Sequence, residues 1–119
     1  HVTGVQTCAL PILLGHFSRD VGLFPLHTAV HKMTGLSAAR FGLSERGEIR
    51  VGHWADLVLF DPLRVRDVAD FEAPQQAAQG IDGVWVNGVL SYCDGQPNGQ
   101  RPGRFLARSG DLRGGFSTL

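Results

Sequence analysis

The feature that most constrains the fold is an apolar run, Leu57–Phe60, which stands between Asp56 and Asp61. Four apolar residues in succession between turn residues predict a short strand that is covered on both faces. Gly47 and Gly52 precede the run, and their conformational freedom allows two tight bends before the strand begins. This stretch therefore predicts a strand that depends on partners for its stability.

The chain before this run predicts three short helices. The first covers residues 13–20. The second begins at Pro25, which suits a first helical turn, and Gly35 is its expected C-terminal stop. The third is capped by Ser37 and ends at Gly42. Apolar side chains recur at helical spacing in the second helix, at Leu26, Ala29, Val30 and Met33.

The chain after the run predicts strands. Asn87-Gly88 is a strong signal for a hairpin turn, and it joins apolar strands at 84–86 and 89–92. Asp94-Gly95 predicts the next turn, and residues 105–106 predict a last short strand. Helices followed by strands give an α+β chain.

Composition narrows the possible partners. Eleven basic side chains balance eleven acidic ones without clustering, so nothing favours nucleic acid or an anionic membrane surface. No segment approaches the roughly 20 apolar residues that cross a bilayer. Cys8 and Cys93 fit no metal-ligand spacing, and we expect free thiols in a reducing, cytoplasmic compartment.

A resemblance to a known family rests on several segments. Residues 47–61 (Gly-Glu-Ile-Arg-Val-Gly-His-Trp-Ala-Asp-Leu-Val-Leu-Phe-Asp) resemble the segment with which metal-dependent amidohydrolases leave their catalytic barrel for a small β-domain. Residues 23–43 resemble the helical run before that segment. Gln79-Gly80-Ile81, Val84-Trp85-Val86-Asn87-Gly88, Asp94-Gly95 and Arg101-Pro102-Gly103-Arg104 narrow the match. Together they resemble the C-terminal end of N-acyl-D-amino-acid deacylases, over residues 13–108.

The resemblance implies an incomplete α+β fold. Residues 13–46 would be the last helices of a TIM-type amidohydrolase barrel, and residues 47–108 the C-terminal strands of a small β-sandwich domain. Residues 109–119 carry three glycines and few apolar side chains, which predicts a disordered tail. Residues 1–12 match nothing in the family pattern and resemble a translated sequencing adapter, so we interpret them as a non-native leader; a natural strand is the alternative.

The resemblance also implies the chemistry of a longer parent. Zinc would activate a water that attacks the amide carbonyl of an N-acyl-D-amino acid, giving a carboxylate and a D-amino acid. The metal ligands of the family come from barrel strands upstream, so the resemblance implies no catalytic, cofactor-binding or metal residue here. The partners would be the missing N-terminal part of the same chain and the small-molecule substrate. A D-hydantoinase or dihydropyrimidinase relative and a free-standing accessory module are the alternatives.

Two histidines have a spacing that occurs in metal sites. His27 and His31 are spaced i, i+4 on one helix, a geometry that zinc sites use. Thr28 stands where the His-Glu-x-x-His motif needs its glutamate, and no third ligand follows at convincing spacing. We therefore expect boundary-face histidines. We predict that His53 is a turn residue, and His16 is isolated from other candidate metal ligands.

The aspartates, arginines and tryptophans are the other candidate functional residues. Asp56 and Asp61 would have to converge on a cleft to act as an acid and base, but the strand between them holds them apart. We expect polar strand ends, with Asp61-Pro62 starting a turn. Surface positions are the commoner outcome for arginine, and buried core or interface positions for tryptophan. Those expectations apply to Arg40, Arg46, Trp54 and Trp85.

Overall fold

A computed structural model describes residues 9–107. We label three helices within this range. The first, α1, spans Ile12–Asp20 and has π geometry, in which the N–H of Val21 donates to the carbonyl of His16. The second, α2, spans Leu26–Met33, and the third, α3, spans Gly35–Phe41. None of the helices in the described range is long and apolar enough to cross a membrane.

Four strands in the described range form one antiparallel sheet in the order β1-β2-β3-β4. Their bounds are Leu57–Phe60 for β1, Ile81–Val86 for β2, Val89–Cys93 for β3 and Gln96–Pro97 for β4. Helices precede strands along the chain, so the predicted α+β class is confirmed.

Both predicted hairpin turns are present. Asn87 and Gly88 adopt φ values of 50° and 79°, and Val86 pairs with Val89 across the turn. Two consecutive residues of positive φ match the twist of the flanking strands, which explains the Asn-Gly sequence. Asp94 and Gly95 repeat this geometry between β3 and β4, with φ values of 50° and 81°.

The predicted junction between the second and third helices was wrong. Gly35 does not stop α2 but is the first residue of α3, because the chain breaks one residue earlier, at Thr34. The Thr34 hydroxyl and N–H both donate to the carbonyl of Val30. Ser37 lies inside α3 and donates to the Lys32 carbonyl instead of capping the helix. Gly42 ends α3 in the left-handed conformation, as predicted.

The predicted strand at residues 105–106 was also wrong. Residues 98–107 carry no strand, and side chains hold their first part against the hairpin. The amide of Asn98 donates to the carbonyl of Leu90 at 2.6 Å, and the amide of Asn87 donates to the carbonyl of Pro102 at 2.7 Å. Phe105 is 94% exposed, so it has no apolar surface to stack against. The predicted tail at 109–119 and most of the leader lie outside the described residues.

The expectation that β1 is covered on both faces is not met by the described residues. Leu57, Val58 and Leu59 are 38%, 40% and 57% exposed. Among residues 9–107, β1 pairs with β2 alone, and pairing along an edge does not cover side chains, which point to the two faces of the sheet.

The core joins the helices to the segment between β1 and β2. Leu14, Ala29 and Val65 are its buried members. Two glycines allow the close approach that buries Val65. A Cβ at Gly15 would lie 2.4 Å from the Val65 carbonyl oxygen, and one at Gly80 would lie 2.4 Å from the Val65 nitrogen. Around them pack partly buried apolar side chains, namely Leu13, Phe24, Val30, Met33, Phe60 and Ile81.

Candidate functional site

The histidines of the helices lie on the surface. His16 on α1 and His27 and His31 on α2 are all exposed. Across residues 9–107, no three or more His, Cys, Asp or Glu side chains come close enough to hold a metal ion. The described part of the chain therefore does not fit a zinc centre, and no hydrolytic step is assigned to these side chains.

The two aspartates beside β1 lie at its opposite ends and act in separate structures. Asp61 accepts the N–H of Leu63 at 2.9 Å, and its carbonyl accepts the N–H of Arg64 at 3.1 Å, which forms the predicted turn. Asp56 accepts the backbone N–H of Asn87 at 2.8 Å. As the sequence predicted, the two aspartates are held apart and do not converge on a cleft.

Arg46 is not the surface arginine that the sequence predicted. Its side chain is only 11% exposed and forms an ion pair with Asp56. The same guanidinium donates to the side-chain oxygen of Asn87 at 2.7 Å and lies 5.2 Å from the ring centre of Trp54. We call these four residues the Arg46 clasp. It ties the loop after α3 to the start of β1 and to the β2–β3 turn. Arg40, in contrast, is exposed as predicted.

The structure places the two tryptophans in different environments. Trp54 is 45% exposed, so it does not lie in the core of the described chain, and the alternative, an interface position, stays a prediction. One of its contacts is the Arg46 guanidinium. Trp85 is partly buried and folds back over its own strand. A Cβ at Gly83 would lie 2.8 Å from its Cη2 atom, so the absence of a side chain at Gly83 makes room for the ring.

An apolar groove of about 430 Å³ lies between the helices and β1. We call it the β1 groove. Leu14, Val30 and Met33 form its helical wall, and the opposite wall includes Leu57, Val58, Phe60 and Trp54. Sequence reasoning missed this feature, because its two walls come from residues more than 20 positions apart in the chain.

His53 lines the β1 groove and has an unusual environment. Its backbone N–H donates to the carbonyl of Arg50 at 3.1 Å, in agreement with the predicted turn. Its ring atom Nδ1 is buried and has no hydrogen-bond partner among the described residues. A buried polar atom without a partner is rare in folded proteins.

A second cavity, of about 740 Å³, is open and polar. Its lining includes three arginines, Arg19, Arg64 and Arg66, and two aspartates, Asp82 and Asp94, so charges of both signs face it. At its edge, the thiol of Cys93 donates to the carboxylate of Asp94 at 3.5 Å. This hydrogen bond, with burial and the negative charges of Asp94 and Asp82, raises the pKa of the Cys93 thiol. Cys93 is free, as predicted, and Cys8 lies outside the described residues.

Comparison with known proteins supports the family resemblance. The model of the amidohydrolase family matches residues 3–92. A D-aminoacylase of Alcaligenes xylosoxydans xylosoxydans is 56% identical over 99 residues, which are 83% of this chain and 20% of the relative. An N-acyl-D-aspartate deacylase and an N-acyl-D-glutamate deacylase of the same organism are 57% and 44% identical, over 75% and 86% of this chain and 18% and 21% of the relatives.

Solved structures agree in fold. A D-aminoacylase crystal structure, described as defining a novel subset of amidohydrolases, superposes with a TM-score of 0.84 and 53% identity, over 89% of this chain and 22% of the other. The N-acyl-D-glutamate deacylase of Bordetella bronchiseptica, solved with zinc and a phosphonate inhibitor, has a TM-score of 0.72 and 39% identity, over 80% of this chain and 21% of the other.

The extent of these matches has two consequences. The chain spans about one fifth of the length of the relatives it matches. The family match begins at residue 3, inside the segment interpreted as a non-native leader, and that interpretation stays a prediction. With a family match over most of its length and these deacylase relatives, the chain belongs to the amidohydrolase family.

Proposed function

We propose that the chain is the C-terminal structural portion of a zinc-dependent amidohydrolase that hydrolyses the amide bond of N-acyl-D-amino acids. The products would be a carboxylate and a D-amino acid. The observation that carries the proposal is the 56% identity to a D-aminoacylase over 99 residues. Similarity to three deacylases favours this function over the hydantoinase alternative. The one-fifth span of those relatives favours a portion of an enzyme over a free-standing module.

In this proposal residues 13–46 are the last helices of the catalytic barrel, and residues 47–108 belong to the small β-domain. The single partner strand of β1 within the described range supports this division, since a barrel-exit strand needs further strands for cover. Residues 1–12 remain a proposed foreign leader and residues 109–119 a proposed tail.

Zinc would belong to the preceding part of the protein, where it would supply an activated water. We propose no catalytic, cofactor-binding or metal-binding role for residues of this chain, because the barrel strands that carry the metal ligands in this family would lie upstream. Their role is support: α1–α3 would complete the flank of the barrel, and the sheet would complete the β-domain. A cytoplasmic location, expected from the cysteine content, is part of the same proposal.

Substrate choice would also reside upstream. The relatives are named for three different activities: a D-aminoacylase, an N-acyl-D-aspartate deacylase and an N-acyl-D-glutamate deacylase. The chain matches two of them almost equally well, at 56% and 57% identity. A segment that read the amino-acid side chain of the substrate would differ between these enzymes, so this segment is assigned to the shared scaffold.

The test is to express the full-length protein from the reading frame extended upstream and to measure zinc-dependent release of D-methionine from its N-acetyl form. N-acetyl-D-aspartate and N-acetyl-D-glutamate test the other two classes. Trp85→Ala in the same protein should lower the melting temperature while the kcat of the folded molecules stays unchanged. Absence of hydrolysis on every N-acyl-D-amino acid would refute the deacylase function. Loss of kcat without a change in melting temperature would refute the support role.

A further inference from the structure

We propose that Asn98 is a site of spontaneous deamidation, and that this modification releases the start of the segment 98–107 from the hairpin. The chain carries two asparagines, and both are followed by glycine, in Asn87-Gly88 and Asn98-Gly99. Glycine has no side chain to hinder the approach of its nitrogen to the preceding side chain, so both dipeptides have the sequence that this reaction favours. Their surroundings in the fold distinguish them.

Deamidation at Asn-Gly is an intramolecular acyl transfer, which proximity favours. The backbone nitrogen of the glycine gives its proton to solvent and attacks Cγ of the asparagine. A bond forms between this nitrogen and Cγ, the bond from Cγ to Nδ2 breaks, and ammonia leaves, so a cyclic succinimide remains. Water then opens the ring at either carbonyl and gives aspartate or isoaspartate. The reaction consumes water alone and needs no enzyme.

The attacking nitrogens of the two sites differ in their hydrogen bonds. The N–H of Gly88 donates to the carbonyl of Ala55 at 2.9 Å. The N–H of Gly99 has no hydrogen-bond partner among residues 9–107. Attack by the Gly88 nitrogen therefore requires the loss of a hydrogen bond that attack by the Gly99 nitrogen does not.

Solvent access favours the same site. Asn98 and Gly99 are exposed, so water reaches the nitrogen that must lose a proton and the ring that must be opened. Asn87 is partly buried. Both side-chain amides form hydrogen bonds through oxygen and nitrogen, so side-chain contacts alone do not separate the two sites. The glycine nitrogen and the exposure both assign the faster reaction to Asn98.

The modification changes a contact between the segment 98–107 and β3. Nδ2 of Asn98 donates to the carbonyl of Leu90 at 2.6 Å. Deamidation replaces this donor with a carboxylate oxygen, and two acceptors then face each other. Isoaspartate also adds one carbon to the backbone between positions 98 and 99. The start of the segment should therefore leave the hairpin, while Asn87 still donates to the carbonyl of Pro102.

Peptide mass spectrometry of the full-length protein tests the reaction. The protein is incubated at mildly alkaline pH, folded and in urea, and the mass gain from the exchange of an amino group for a hydroxyl is followed at each asparagine. In the folded protein Asn98 should react about tenfold faster than Asn87, the factor expected for one hydrogen bond. In urea the two rates should be similar, because both asparagines precede glycine. An Asn98 that reacts only in urea, or an Asn87 that reacts as fast as Asn98 in the folded protein, overturns the inference.

Hydrogen–deuterium exchange of the peptide covering residues 98–107 tests the release. Asn98→Asp reproduces one product of the reaction and should make this peptide exchange faster than in the unchanged protein. Gln100→Glu is the matched control, because it makes the same change from amide to carboxylate at an exposed residue whose side chain forms no hydrogen bond within residues 9–107. The control should leave the exchange unchanged. Equal exchange in both variants, whether fast or slow, would show that the Asn98 amide does not hold the segment and would overturn the release.

Discussion

The β2–β3 hairpin and the strand β1 belong to one sheet, but within the described residues only the strands of the hairpin have a partner strand on each side. β2 pairs with β1 on one side and with β3 on the other, and its Gly83 is buried beneath Trp85. β1 pairs with β2 alone, and three of its four residues are more than a third exposed. Within residues 9–107, β1 therefore has one neighbouring strand, whereas β2 and β3 have two each.

The difference follows from where each strand finds its partners. The hairpin closes through a two-residue turn, so its contacts are local in sequence. β1 meets β2 only after the segment 61–80, and it pairs with no other strand among residues 9–107. The predictions below test this contrast in the full-length protein.

The largest effect is expected at the junction of β1 and β2. Gly80 has a φ of +81°, and a Cβ there would lie 2.4 Å from the backbone nitrogen of Val65. Gly80→Ala adds backbone strain to a clash with main-chain atoms, so it should lower the free energy of unfolding by about 4 kcal/mol. The matched control is Gly88→Ala in the hairpin turn, where φ is +79° and no atom lies within 4 Å of the added Cβ. The control should cost about 1 to 2 kcal/mol, from strain alone. Equal costs in urea unfolding would show that the junction is not tightly packed.

The next effect separates the two strands directly. Val58 on β1 and Val89 on β3 are both 40% exposed in this chain. If the rest of the protein covers β1, Val58→Lys places a charge in an apolar interface and should cost about 2 to 3 kcal/mol. Val89→Lys should stay within about 0.5 kcal/mol, the usual range for a surface change. The measurement is urea unfolding of both full-length variants. Similar values for the two would remove the contrast between β1 and the hairpin.

The Arg46 clasp joins the two regions, so its removal should loosen both. Arg46→Ala deletes two charge-assisted hydrogen bonds of a side chain that is 11% exposed, to Asp56 and Asn87. We expect a loss of about 2 kcal/mol, measured by urea unfolding. The exposed Arg40→Ala is the control, and it should change stability by less than about 0.5 kcal/mol. A cost for Arg40→Ala as large as that of Arg46→Ala would contradict the role of the clasp.

The smallest effect concerns the outer end of the hairpin. The hydrogen bond to Asp94, with burial and negative charge, raises the pKa of the Cys93 thiol, so less of the reactive thiolate is present at a given pH. The rate of iodoacetamide alkylation should therefore rise at a higher pH than for an ordinary exposed thiol. Asp94→Asn removes the charge and should move the midpoint of this rise to lower pH. An unchanged midpoint would show that Asp94 does not control the thiol.

The sequence predicted features that depend on neighbouring residues. Asn87-Gly88 specifies its turn through backbone conformation alone, and Gly42 ends α3 for the same reason. The sequence did not reveal the break at Thr34. Hydrogen bonds from Thr34 to Val30 place the break there, although Gly35 predicted a helix stop and Ser37 a helix cap.

Contacts between residues that are far apart in the chain could not be predicted from local sequence patterns. Arg46 and Asn87 are 41 positions apart, and no spacing rule connects them. Val65 stands in a polar stretch, yet it is 1% exposed because Gly15 and Gly80 let the backbone close around it. The exposure of β1 was missed because an apolar run predicts burial from its composition alone and does not show which elements are present to pack against it.

Hydrogen–deuterium exchange of the β1 amides tests the central claim most directly. It compares the peptide covering Leu57–Phe60 in the 119-residue chain and in the full-length protein, with the peptide covering the β2–β3 hairpin as the internal reference. We predict that the β1 peptide exchanges faster than the hairpin in the 119-residue chain and becomes protected to the level of the hairpin in the full-length protein. If the β1 peptide exchanges equally fast in both proteins relative to the hairpin, β1 is a true edge strand, and the claim that the preceding polypeptide completes it is wrong.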